Sequence, residues 1–505
     1  MIRCCFFVRG NTLMSVFEEQ KIMARKTLLP LRAMSETKST LPQERADKLR
    51  TEPIGRLLFN YALPAVVGTV VMALYNIVDT MFIGQGVGEK AIAAISISFP
   101  IFLFLQGFGM LVGIGGAVRI SILLGQQNYE GANRILGNAV MLTILFTLVS
   151  VLPCYFFMEP LLRMFGASDG VLPHAKEYLQ ILLPFNVFGT VSFGYNSLMR
   201  ASGYPTKAMI TMILGAVLNT IFDYIFIFQF HWGITGAAAA TALAMFVSMC
   251  FVLSHFFSPK SLVRFTWKSL RPSWQIARSV VTIGLAPFFM QIVGSVVSIV
   301  MNRNFVTFAP SEHIGDLSVA VYGIINSYAT LVMMVTIGVS QGMQPIVGYN
   351  FGAGQMSRVV KCFNLAVAIN MAVTFIGFVV ALLVPDVILS FYKPSSELIQ
   401  LGVKAFRTVF LGFALVGFQI TATQLFQSLG YSYKALFLSL TRQILFLLPG
   451  LFVFPRLFGF DGVWMAMPVA DIAAALTAGG MIFYHFKYIF PKLFTQHRQS
   501  DVEFL

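Results

Sequence analysis

The sequence predicts an all-α integral membrane protein with about twelve transmembrane helices, arranged as two six-helix bundles related as parallel repeats. Three observations carry this. The 505 residues are 57% hydrophobic and only 11% charged, where soluble domains carry about 25% charged residues. Mean hydropathy is +0.77. About twelve apolar segments recur along the chain, most of them reaching the roughly 20 residues that a spanning helix needs. Short motifs also return in the same order in the second half, the signature of an internal repeat.

The apolar segments lie at 57–83, 92–117, 136–158, 177–200, 207–229, 233–257, 277–305, 318–347, 361–385, 402–428, 434–455 and 462–486. They read as helices, because an open sheet cannot satisfy its backbone in lipid. Residues 1–52 are a mixed, partly polar stretch expected to be a disordered cytoplasmic tail. Within it, residues 1–33 read as a start-site extension ahead of Met34. Residues 53–257 are expected to form the N-terminal lobe, 258–276 a basic cytoplasmic linker, 277–486 the C-terminal lobe and 487–505 a cytoplasmic tail.

Basic residues gather in alternate loops: Lys48, Arg50 and Arg56; Arg119 and Arg134; Arg200 and Lys207; the linker from Lys260 to Arg278; Arg358 and Lys361; Lys434; and Lys487 onward. The positive-inside rule puts those loops and both termini in the cytoplasm. The net charge of +14 is therefore no argument for nucleic acid. Five cysteines form no spaced framework, and six histidines at segment ends or in loops show no ligand spacing, so solvated or interfacial histidines are expected. There is no Walker lysine motif and no nucleophile–base or HExxH arrangement, so neither direct ATP use nor enzyme catalysis is expected.

The repeat is clearest where LMRASGYPTKAM (198–209) meets LFQSLGYSYKAL (425–436). YALPAVVG (61–68) and GLAPFFMQ (284–291) share a proline. Differences between the halves are then informative. Asp79 stands as far from Pro64 as Asn302 does from Pro287, so a carboxylate faces a neutral amide. Asn219 and Asp223 lie four apart, on one helical face, and their counterparts Phe446 and Gly450 are apolar. A carboxylate inside a spanning helix costs about 2.5–3.5 kcal/mol on insertion scales. Asp79 and Asp223 fall at similar depth, where Tyr75, Asn219 and Thr241 can join them. Two carboxylates in a low-dielectric cavity cannot both stay ionised cheaply and would titrate together. The same oxygens suit sodium. The residues themselves leave proton and sodium open as the coupling ion. In the second half, Asp471 is expected either to pair with Arg442 or to contact substrate. Asn196, Asn302, Asp471 and Arg442 are the substrate-cavity candidates.

YNIVDTMFIG following a proline, the loop residues Leu124, Gly125, Gln126, Asn128, Tyr129, Glu130, Ala132, Asn133 and Arg134, MRASGYPTKAM, LNTIFDYIFIF with WGITGAAAATALA, and DGVWMAMPVAD together resemble the MATE (multidrug and toxic compound extrusion) family. The acid placement is most similar to its bacterial DinF/MepA-like branch. The resemblance covers residues 55–490. It implies exchange of an organic, often cationic drug for inward protons or sodium, with no other cofactor. It implies a cation site at Asp79, Asn219, Asp223, Thr241 and Tyr75, with Pro64 as a hinge. It further implies small-molecule drugs and the lipid bilayer as partners, a monomer, and a place in the bacterial cytoplasmic membrane. A flippase for lipid-linked precursors is the alternative within the same superfamily, and would favour a basic cavity over these acids.

Overall fold

In a computed structural model, residues 47–392 and 395–490 are described. The expected start-site extension, most of the N-terminal tail and residues 491–505 lie outside them. The first half comprises α1 (Ile54–Gly86), α2 (Glu89–Gly125), α3 (Tyr129–Phe156), the short α4 (Met158–Met164), α5 (Leu172–Ala201), α6 (Pro205–Asp223) and α7 (Gly233–Phe257). A π-helical turn, Tyr224–Gln229, continues α6. The second half comprises α8 (Trp274–Phe308), α9 (Glu312–Gly352), α10 (Met356–Leu383), the short α11 (Pro385–Ser390), and α12 (Ser396–Val409) running through a 3₁₀ turn into α13 (Val416–Ser428). It closes with α14 (Ser432–Leu440), a π turn at Thr441–Leu447, α15 (Leu448–Phe458) and α16 (Phe460–Tyr484).

Eleven continuous helices among the described residues are long and apolar enough to cross a membrane. The twelfth expected span, α5, has 30 residues but carries His174, Lys176, Glu177, Asn186, Asn196 and Arg200. It packs chiefly between α2 and α7, so its polar residues can face protein instead of lipid. The helices overrun the apolar segments by several residues at most ends, because polar turns outside the hydrocarbon continue them.

The two ends of the bundles differ in charge. At the end with few basic loops, Arg163 and Lys176 pair with Glu159, Arg163 also pairs with Asp169, and Lys404 pairs with Asp461. Lys176 and Arg163 hold the Glu159 carboxyl below the usual range. At the basic end only Arg56 is paired in this way, with Glu52, among the described residues.

Three packing features mark the basic end. Residues 49–52, read as tail, are anchored: Arg358 donates to the Leu49 and Glu52 carbonyls at 3.2 and 2.7 Å, and Asn350 donates to Leu49 O. The linker is pinned to α3. Asn133 Oδ1 accepts from Arg264 N at 2.8 Å, while Asn138 accepts from Ser273 N and donates to Arg271 O. His255 and His485, expected in solvent or at the interface, are buried. Lys207 Nζ donates to His255 Nδ1 at 3.4 Å, and Lys434 Nζ to His485 Nδ1 at 3.3 Å. Tyr204 and Tyr431 pack their rings on the same two histidines. The recurring Gly-Tyr-x-x-Lys loop therefore ties the start of α6 or α14 to the end of α7 or α16. Its glycines, Gly203 and Gly430, have φ of +95° and +77°, a region glycine enters without strain.

The halves meet through glycines near the basic end. A Cβ on Gly115 would strike Val280 O, and one on Gly284 would strike Leu111 O. Gly338 and Gly342 of α9 lie against Val66 and Ala62 of α1, on either side of Pro64. Buried Gln344 of α9 donates to Ser121 Oγ of α2 at 3.2 Å.

Candidate functional site

Asp79 lies in the last third of α1 and Asp223 ends the regular part of α6, so both approach the same depth from the basic end. Their carboxyl groups lie within interaction reach of each other. Asp223 is 0% exposed. Asp79 Oδ1 and Asp223 Oδ1 are buried without a hydrogen-bond partner.

Asn219 sits one turn before Asp223. With its amide turned to satisfy both neighbours, it donates to Asp223 Oδ2 at 2.8 Å and accepts from Thr241 Oγ1 of α7 at 3.2 Å. Tyr75, one turn before Asp79, lies within electrostatic reach of both carboxyls. The five residues singled out from the sequence are thus brought together. A sixth was not: Tyr178 of α5 reaches Asp79, Tyr75 and Asp223 electrostatically, and Phe102 packs edge-on against its ring at 5.9 Å. Around the carboxyls lies an apolar core that includes Ile83, Leu105, Leu182, Ile227, Ala238 and Ala242. The low dielectric of that shell makes any charge here costly unless a proton or cation accompanies it.

The backbone changes form at this point. The π turn Tyr224–Gln229 begins directly after Asp223. π-bulges widen a helix locally and are frequent at functional sites.

The second half is organised differently. Arg442, within its own π turn, donates from Nε to Asp471 Oδ1. Asp471 is 3% exposed, and Tyr322 stands near the guanidinium. Of the two expected roles for Asp471, this geometry supplies the ion pair. Asn302 is exposed and makes no side-chain hydrogen bond among the described residues. Two residues on, Asn304 donates to Leu451 O at 2.9 Å. Pro455 lies four residues after Leu451 and has no N–H, so it leaves that carbonyl free. Asn196, one of the cavity candidates, is held by hydrogen bonds on both sides of its amide. Its Nδ2 donates to Ala208 O at 2.6 Å and its Oδ1 accepts from Arg200 Nη1 at 3.0 Å. Arg200 is buried with Asn196 and Ser197 as its side-chain acceptors, so the amide is already spent.

The family described as MatE matches residues 64–225 and again residues 284–452, once in each half. The chain belongs to the MatE family. It is therefore a multi-pass membrane transporter and not an enzyme, and the double match coincides with the internal repeat. The multidrug export protein MepA of Staphylococcus aureus strain MSSA476 is 26% identical over 429 residues, which is 84% of this chain and 93% of that protein. A solved structure of the MATE multidrug transporter DinF-BH, in complex with a ligand, is 35% identical. It matches with a TM-score of 0.80 and covers 88% of this chain and 98% of its own. A Pyrococcus furiosus transporter of the MOP superfamily, 23% identical with a TM-score of 0.80 over 87% of this chain and 98% of its own, shares the MatE fold.

Proposed function

We propose that this MatE transporter is a secondary active multidrug exporter of the bacterial cytoplasmic membrane. It exchanges an organic, often cationic and aromatic drug for inward H⁺ or Na⁺. The observation that carries the proposal is the buried Asp79–Asp223 carboxyl pair, which leaves one unpartnered oxygen on each residue. Such a pair binds a proton, or a sodium ion with Asn219 and Thr241 oxygens, more readily than it holds two bare charges. Tyr75 and Tyr178 lie within electrostatic reach of both carboxyls. Similarity to MepA and to the DinF-BH structure supports a drug as the other substrate.

The positive-inside rule makes the basic end cytoplasmic, with both termini there. Pro64 lies between Ala62 and Val66, which touch α9. A bend at Pro64 would therefore pass a change at the carboxyls to the seam between halves. One charge entering down about 100 mV supplies roughly 2.3 kcal/mol, enough for about a fiftyfold gradient of a neutral drug at one-for-one exchange. The chain acts as a monomer in this reading, since each half contributes its own bundle to one transport unit.

The test is ethidium efflux from an efflux-deficient bacterial host, with proton and sodium gradients collapsed separately. Wild type should export, one collapse should stop it, and Asp79→Asn and Asp223→Asn should not export. Equal export by all three would remove the carboxyl pair from coupling. A well-expressed wild type that moves no drug would return the reading to lipid-linked precursor flipping.

A further inference from the structure

At the basic end a cavity of about 290 Å³ opens across the line where the halves meet. Arg119 of α2 enters from the first half. Arg278, Ser279 and Thr282 of α8 and Ser432 and Tyr433 of α14 line it from the second. Two guanidinium groups thus face one small space, and among the described residues no carboxylate lines it. Arg119 is half-buried and donates from Nε to Ser279 Oγ across the seam. Among the described residues no acid pairs with Arg119 or Arg278, and no acceptor takes the Arg119 Nη groups.

Two helix starts add to the positive field. Ser432 and Tyr433 are the first residues of α14, and Gln275, also in the lining, is the second residue of α8. Neither helix has a side-chain cap on its first amides, so the positive ends of both helix dipoles stand beside the cavity. A half-buried guanidinium without a counter-ion is costly. Guanidinium groups, hydroxyls and free amides are the donor set that binds phosphate.

We infer that this cavity is a binding site for the phosphodiester headgroup of an anionic phospholipid, held between the halves by Arg119 and Arg278. A lipid is favoured over a soluble phosphate by its surroundings. Tyr433, 79% exposed, lines the opening, and Trp274, 81% exposed, directly precedes Gln275 of the lining; aromatic side chains are enriched at headgroup level. Phe437, exposed one turn beyond Tyr433 on the same face of α14, continues an apolar path for an acyl chain. Basic pockets between spanning helices are the usual receptors for such headgroups. Because the site draws on both halves, an occupant favours the arrangement in which they touch at the basic end. This inference concerns a site remote from the carboxyl pair and holds whatever the exported substrate is.

The test is native mass spectrometry of the purified full-length protein in detergent. Dioleoylphosphatidylglycerol, dioleoylphosphatidylcholine and inorganic phosphate serve as probes. Wild type should retain one phosphatidylglycerol in clear preference to phosphatidylcholine. The double variant Arg119→Gln/Arg278→Gln should bind it about thirtyfold more weakly, at roughly fivefold per surface charge, while Lys260→Gln/Lys268→Gln stays within about twofold of wild type. Circular dichroism and a monodisperse elution profile confirm that the variants are folded. Equal retention by the arginine variant, or an equal loss in the lysine variant, would overturn the site. Displacement of the lipid by excess inorganic phosphate, with the same arginine dependence, would overturn the lipid as its occupant.

Discussion

Gly125 and Gly352 meet the opposite half in the same way. A Cβ on Gly125 would strike the Tyr349 carbonyl oxygen, and one on Gly352 would strike the Ile122 carbonyl oxygen. The residue offset that carries Leu198 onto Leu425 also carries Gly125 onto Gly352 and Ile122 onto Tyr349. The crossing of α2 and α9 is thus a two-fold contact between backbones, and neither glycine has room for a side chain.

That contact predicts the effect of bulk. Gly125→Val or Gly352→Val should hold the halves apart at the basic end. Export should fall at least tenfold, since a misfit of about 1.4 kcal/mol already costs that factor. A cysteine placed at Ser121, buried at the seam, should become more reactive to a thiol reagent. Export and labelling equal to those of wild type would show that the crossing need not close.

Tyr178 predicts a graded effect at the carboxyl pair. Tyr178→Phe keeps the ring that packs on Phe102 and removes only the hydroxyl near Asp79 and Asp223. Ethidium efflux should drop by up to about tenfold, the scale of one lost polar contact, against complete loss in Asp223→Asn. Phe102→Leu, which changes the packing of the ring alone, should cost less than Tyr178→Phe. The reverse order would make Tyr178 a packing residue.

Arg442 and Asp471 predict strong non-additivity. Removing one partner leaves a buried charge alone. Arg442→Met or Asp471→Leu should therefore destabilise the protein by about 3–5 kcal/mol, with the double variant far closer to wild type. Thermal unfolding in detergent reads this directly. Additive losses would mean that the two side chains do not act as a pair.

Asn304 and Pro455 predict a rescue. Asn304→Leu orphans the Leu451 carbonyl, at a cost of about 1–3 kcal/mol. Pro455→Ala restores the N–H that the carbonyl lacks, so Asn304→Leu/Pro455→Ala should regain most of the lost stability in the same unfolding assay. Failure of the second substitution to help would locate the role of Asn304 elsewhere.

Hydropathy located eleven of the spans, because lipid imposes length and apolarity on a helix that faces it, while α5 is polar where it packs against protein. Asp79, Asn219 and Asp223 were legible because polar groups stand out against an apolar helix and because the other half lacks the acids. Tyr178 was not legible. It is one polar residue among several in α5, and its place beside the carboxyls depends on how α5 packs. The bonds of Asn196 were not legible either, since its partner, the Ala208 carbonyl, comes from the next helix. The buried histidines were hidden as well, since their partners Lys207 and Lys434 come from a different helix.

The Tyr204–Lys207–His255 and Tyr431–Lys434–His485 clusters have a mechanical consequence. Each fastens the end of one helix to the start of another within a single half, and neither borrows a residue from across the seam. Each half is thus braced like a lever with its own cross-strut. Side chains inside a lever need not change partners as it swings, so rearrangement can concentrate in the bearing surface, where glycine backbones slide past carbonyl oxygens with no side chain to catch.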